Sequence, residues 1–175
     1  MNIDATVERY APEAAWCRDL NRWGMRPLVR AYFAVISRLG DGVFWYVLMV
    51  AFPVLDGAHR WRVSLQMAIA GGIGLALYRW MKHRTRRPRP FARHAGIRAL
   101  VAPLDEFSFP SGHTLHAVAF STVACWHEVA LAWLLLPFAA SVALSRVVLG
   151  LHYPSDVAAG TVVGASLAAL VIAVA

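Results

Sequence analysis

The chain has 175 residues, 59% of them hydrophobic, a formal net charge of +7 and two cysteines. Its apolar fraction exceeds the roughly 45–50% of soluble globular domains, and the apolar residues fall in long runs with nearly every charge between them. That pattern excludes a water-soluble fold and predicts a helical membrane protein. The positive charge does not point to nucleic acid, because no aromatic-studded face or polar helix carries it. Cys17 and Cys125, one in a polar segment and one in an apolar run, exclude a disulfide framework.

Residues 1–26 form a polar N-terminal segment, with Asp4, Glu8, Arg9, Glu13, Arg18, Asp19 and Arg22 where a cleavable signal would need an apolar core. Insertion is then left to internal spans, and residues 27–175 read as a single transmembrane domain. Residues 27–39 are apolar but interrupted by Arg30 and Arg38, and shorter than the roughly 20 residues that cross a bilayer. They read as a first span or as an interfacial helix. Clearer spans follow at 42–56, 62–81, 112–127, 129–149 and 156–175, with turns at Asp56–Arg60 and at His127 and Glu128. The expected fold is therefore all-α, a polytopic transmembrane bundle of five to six helices. Gly71, Gly72 and Gly74 in one span, and Gly160 and Gly164 in the last, would let helices approach closely.

If helices alternate in direction, three polar segments share one membrane face. The first, Lys82–Pro90 (KHRTRRPRP), opens a block that reaches Arg98 with seven basic residues and no carboxylate. A basic loop after a span ordinarily sets topology, but Pro88 and Pro90 stiffen this one and would hold Lys82 and Arg89 in place. The second is Pro110–His113 (PSGH), where Ser111 and Gly112 open a helix whose unpaired N–H groups attract an anion. Alone, such a tetrapeptide is as often an ordinary N-cap. The third is Ser145–Asp156 (SRVVLGLHYPSD): Pro154 suits the first turn of the last helix, so Asp156 can reach back to one nitrogen of His152 and leave the other free to attack phosphorus. An isolated pair of this spacing is usually a buried histidine satisfied by an aspartate, and a lone Arg146 at a helix end usually snorkels.

Taken together and in order, the three segments closely resemble the signature of the type 2 phosphatidic acid phosphatase superfamily, with flanking helices covering about residues 42–175. The resemblance implies a membrane phosphatase in which His152 is the nucleophile, Asp156 orients it, and His113 protonates the leaving oxygen and later activates water. It implies that Lys82, Arg89, Ser111, Gly112 and Arg146 hold the phosphate oxygens, with Ser145 completing the motif. No metal and no cofactor is expected, since fixed cations and helix N–H groups suffice to stabilise a phosphoryl transition state.

Arg84, Arg86, Arg87 and Arg93 lie outside the motif and read as electrostatic steering or headgroup contacts. His116, one turn after His113, reads as helix packing. The substrate expected is a lipid phosphate monoester or a polyprenyl diphosphate, with membrane lipids as the surroundings and specificity left to helix gaps and to loop 91–109, including Asp105, Glu106 and Phe107.

The resemblance places the protein in a bacterial inner (plasma) membrane with the site facing the periplasm or exterior, although the positive-inside rule would put the basic loop in the cytoplasm. Soluble acid phosphatases and vanadate-dependent haloperoxidases share these residues, and the apolar spans argue against both. Two readings of other classes are a metal-dependent hydrolase built on His113, His152 and Asp156, and a non-catalytic lipid-binding or transport protein.

Overall fold

The structure, a computed structural model, describes residues 11–55 and 60–174. In chain order it holds α1 (Ala11–Gly24), α2 (Pro27–Leu39), α3 (Val43–Leu55), α4 (Trp61–Thr85), the short α5 (Pro90–Arg93), α6 (Gly112–His127), α7 (Ala132–Val148, entered through a 3₁₀ turn at Val129–Leu131) and α8 (Pro154–Val174). The described residues include no strand. Prolines open α2 and α8, where a missing N–H costs nothing.

The bundle is organised around α6, which packs against α8, α4 and α7 and buries Leu115, Ala117, Ala119, Phe120 and Val123. Gly160 and Gly164 let α8 lie directly on the α6 backbone. A Cβ at Gly160 would stand 2.6 Å from the Ser111 carbonyl oxygen, and one at Gly164 would collide with that of Leu115. The close approach also sets the site, because Asp156 lies one turn before Gly160 and its carbonyl accepts the Ser111 N–H at 3.0 Å.

The outer surface is apolar, as a lipid-facing surface must be. Trp133 is 91% exposed, and Val47, Val50 and Val54 on α3 and Val162 and Leu170 on α8 also face outward. Trp61 and Trp80 near the two ends of α4 are exposed. At 1.5 Å per residue they stand about 28 Å apart along the axis, close to the ~30 Å hydrocarbon core whose borders tryptophans favour. Two polar side chains on α4 pair across helices: Ser64 Oγ donates to Met49 O at 2.5 Å, and Gln66 Oε1 meets His127 Nε2 at 2.6 Å.

By length and composition two helical stretches, Val129–Val148 and Pro154–Val174, qualify as spans on their own, and α2 with α3, bent by 49° at their break, qualify as one broken span. The stretch 27–39 is thus half of a bent pair. The expected span at 112–127 is helix α6, whose 16 residues reach only about 24 Å. Enclosed by its neighbours, α6 meets protein rather than lipid over most of its length. The turn expected at Asp56–Arg60 lies mostly outside the described residues.

Within the polar N-terminal segment, α1 docks on the end of α7. Cys17 and Asn21 are fully buried. The Asn21 amide donates to Arg98 O at 2.9 Å and Val148 O at 3.0 Å, and its oxygen accepts the Arg98 N–H at 2.9 Å.

Candidate functional site

A cavity of about 750 Å³ opens where the end of α4, the start of α6, the end of α7 and the turn before α8 converge, and Lys82, Arg89, Gly112, His113, Arg146 and His152 all line it. The two histidines singled out in the sequence therefore face one space. Local structure explains each position. After α4, Arg86 adopts a left-handed conformation (φ 45°) and Pro88 bars further helix, which turns Arg87 and Arg89 inward. After α7, Gly150 takes φ +76°, and the Arg146 carbonyl accepts the N–H groups of Leu151 and His152 at 3.0 and 3.1 Å. That turn sets His152 over the cavity.

His152 is buried, with Nε2 3.2 Å from Arg89 Nη1 and Nδ1 3.6 Å from Asp156 Oδ2. A guanidinium only donates, so Nε2 accepts and the proton of the neutral ring sits on Nδ1, facing Asp156. Burial, reinforced by the charges of Arg89, Arg146 and Lys82, holds the His152 imidazole well below its ordinary pKa, so the ring is neutral and Nε2 keeps its lone pair.

Asp156 is completely buried. Its Oδ2 accepts the Tyr153 N–H at 2.8 Å and its Oδ1 accepts from Arg87 Nη1 at 2.7 Å. Arg87 is thus no surface steering charge, as its place outside the motif suggested. It is buried, stacks 4.1 Å over the Tyr153 ring, and also meets Glu13 at 3.4 Å. The physical reason is that a carboxylate without solvent requires a fixed counter-ion. Glu13 extends the chain, accepting from Ser155 Oγ at 2.6 Å.

Beside His152, Lys82 Nζ donates to Asp105 Oδ1 at 2.9 Å and to Phe107 O at 2.6 Å. Arg89 donates to Asp105 Oδ1 at 2.8 Å, to Asp105 O at 3.0 Å and to Leu151 O at 2.8 Å. Burial opposes ionisation of Asp105, but the hydrogen bond and charge of Lys82, together with Arg89, hold its carboxyl below the usual range. Arg146 is buried and donates to Ser37 Oγ. His113 Nε2 lies 3.4 Å from Asp41 Oδ1.

Ser37 and Asp41 escaped the sequence reading. A signal existed for Asp41, which is the one carboxylate between residues 27 and 55 and is flanked by glycines.

Ser111 does not line the cavity. It is buried as the N-cap of α6, with Oγ 2.9 Å from Thr114 Oγ1 and accepting the Thr114 N–H at 3.4 Å. Since its own N–H goes to Asp156, Gly112 and His113 are the residues that bring first-turn N–H groups to the cavity, and such groups have no acceptor within the helix. Ser145 is also inward and buried, donating to Val142 O at 2.6 Å.

His116 joins two helices, with ring nitrogens 2.9 Å from Gly112 O and 3.2 Å from Gly71 O, and it also lines the cavity. Arg84 and Arg86 are exposed, and Arg93 is half-buried. Among the described residues no group of three or more His, Cys, Asp or Glu is arranged to hold a metal ion. His113, His152 and Asp156 do not form one, because Asp156 stands behind His152 and is committed to Arg87.

Residues 59–175 match the model of the PAP2 superfamily. The chain is 30% identical over 147 residues to the decaprenylphosphoryl-5-phosphoribose phosphatase of Mycobacterium tuberculosis, covering 83% of this chain and 80% of that one. It is 29% identical over 121 residues to the undecaprenyl-diphosphatase BcrC of Bacillus subtilis, covering 69% and 62%. A crystal structure of a transmembrane PAP2-type phosphatidylglycerolphosphate phosphatase from Bacillus subtilis superposes with a TM-score of 0.79 at 25% identity, covering 97% of this chain and 88% of that one.

Proposed function

Since the chain belongs to the PAP2 superfamily and is a membrane-integral phosphatase acting on lipid-like phosphates, we propose that it works through a phosphohistidine on His152, without a metal ion. The reading rests on one observation: Arg89 Nη1, 3.2 Å from His152 Nε2, makes Nε2 the acceptor nitrogen while Nδ1–H faces Asp156, so the Nε2 lone pair is available to phosphorus once a phosphate oxygen takes the Arg89 N–H.

In the first step Nε2 attacks phosphorus, the bond to the lipid oxygen breaks, and that oxygen takes a proton from His113. Arg89, Lys82, Arg146 and the first-turn N–H groups of Gly112 and His113 hold the equatorial oxygens as charge spreads over them. The 3.6 Å separation of Nδ1 and Asp156 would shorten as the ring gains positive charge. In the second step His113 takes a proton from water, the resulting oxygen attacks phosphorus, and the P–N bond breaks to release orthophosphate and restore Nε2.

The substrate is a lipid phosphate monoester or a polyprenyl diphosphate. Beyond the phosphate seat the cavity continues along Trp45, Tyr46, Met49, Ala68, Gly72 and Leu75, an apolar groove between α3 and α4 that suits a hydrocarbon tail. Gly72 faces open space, since a Cβ there would meet nothing within 4 Å.

We place the protein in a bacterial inner membrane with the site on the periplasmic or exterior face. Lys82, Arg87 and Arg89 are buried and paired, so these three charges of the basic block serve the site rather than topology. Labelling of an Arg84→Cys variant in intact cells tests this, and protection from an impermeant reagent would reverse the assignment.

Phosphate release from a panel of lipid phosphates by the purified protein in detergent tests the function. His152→Ala should show none, and retained turnover would refute the nucleophile assignment.

A further inference from the structure

We propose that the Asp105 carboxylate is a displaceable internal anion, which occupies the phosphate seat on Lys82 and Arg89 in the unliganded enzyme and which the incoming phosphate evicts. The proposal rests on the phosphatase reading above and adds to it a residue that sets affinity for the phosphate group.

A single oxygen, Asp105 Oδ1, bridges Lys82 Nζ at 2.9 Å and Arg89 Nη2 at 2.8 Å, the arrangement a phosphate oxygen would adopt between two cations. The same guanidinium touches His152 Nε2 through Nη1, so the carboxylate sits beside the attacking atom. The cations do not depend on it for their placement. Lys82 is also held by Phe107 O at 2.6 Å, and Arg89 by Asp105 O at 3.0 Å and Leu151 O at 2.8 Å. All three anchors are backbone carbonyls and remain when the side chain leaves.

Exposure separates the partners as well. The Asp105 side chain is 40% exposed, against 7% for Lys82 and 3% for Arg89, so the carboxylate has room to swing aside while the cations stay fixed.

Competition of this kind selects by charge. A terminal phosphate at neutral pH carries close to two negative charges and three oxygens and outcompetes one carboxylate. A phosphodiester, with one charge, gains little by the exchange. Asp105 would also speed departure of orthophosphate by returning to its seat.

The test is binding of inorganic phosphate to purified wild type, Asp105→Asn and Asp105→Ala in detergent by calorimetry, with Asp19→Asn as a control for loss of an exposed carboxylate away from the cavity. Both Asp105 variants should bind phosphate on the order of tenfold more tightly, as expected when a charge-assisted competitor is removed. Asp19→Asn should stay within about twofold, since screening leaves little from an exposed charge outside the cavity.

Unchanged or weaker binding in both Asp105 variants would overturn the proposal and make the carboxylate a positioning group for Lys82 and Arg89. Failure of the phosphatase reading looks different: wild type would bind phosphate yet release none from any lipid phosphate.

Discussion

Replacing Arg87 with methionine removes the counter-ion of a carboxylate that has no solvent contact. Asp156 is 0% exposed and Arg87 8%, and their 2.7 Å hydrogen bond lies where water cannot substitute for the lost charge. Breaking a buried pair from one side costs about 3–5 kcal/mol, because the remaining charge is left uncompensated. Methionine keeps the apolar stem but loses the guanidinium stacked 4.1 Å over Tyr153, a loss common to both backgrounds of a cycle with Asp156→Asn. Glu13 keeps its bonds from Ser155 and contributes little to the penalty.

The same variant should lower kcat roughly 10–100-fold, the usual effect of removing the group that orients a catalytic ligand, because Asp156 would no longer be held against His152. Unfolding in mixed micelles, followed by tryptophan fluorescence, measures the stability. A cycle with Asp156→Asn isolates the cause: a neutral amide needs no counter-ion, so Arg87→Met should cost about 1 kcal/mol or less in that background. Equal losses in both backgrounds would refute the account, and Arg87 would then act through packing alone.

The pH dependence follows from the depressed His152 pKa. The ring should keep its neutral NMR shift as pH falls through about 6.5, where an ordinary histidine is half protonated, and should charge only below that; a midpoint at the ordinary value would contradict the geometry. Gly164→Val should destabilise the fold by several kcal/mol and uncouple the site, since its side chain meets the Leu115 carbonyl; thermal unfolding in detergent checks it. Gly72→Leu should raise KM for long-chain lipid phosphates severalfold and leave that for p-nitrophenyl phosphate unchanged, which a substrate-length series would reveal. Phosphate release should survive prolonged EDTA treatment, and loss restored by a divalent metal would overturn the metal-free mechanism.

The ends of the helices were legible in the chain because the physics that sets them is local. Proline favours the first turn of a helix, glycine permits left-handed turns, and apolar runs follow the bilayer, so α2 and α6 fall where the composition changes, although Pro53 and Pro137 lie inside α3 and α7. The convergence of Lys82, Arg89, His113, Arg146 and His152 was legible as well, since alternating helices bring those ends to one face and the motif fixes their order.

What the chain could not disclose was which charges satisfy one another. Arg84, Arg86, Arg87 and Arg89 are near-identical in sequence, yet two are exposed and two are buried on opposite sides of His152. Asp41, Asp105 and Glu13 come from segments far apart along the chain. Pairing energies between buried charges depend on distance and local dielectric. Both exist only once α8 lies against α6 at Gly160 and Gly164 and α1 closes over Tyr153, so the electrostatics of the site belong to the tertiary structure alone.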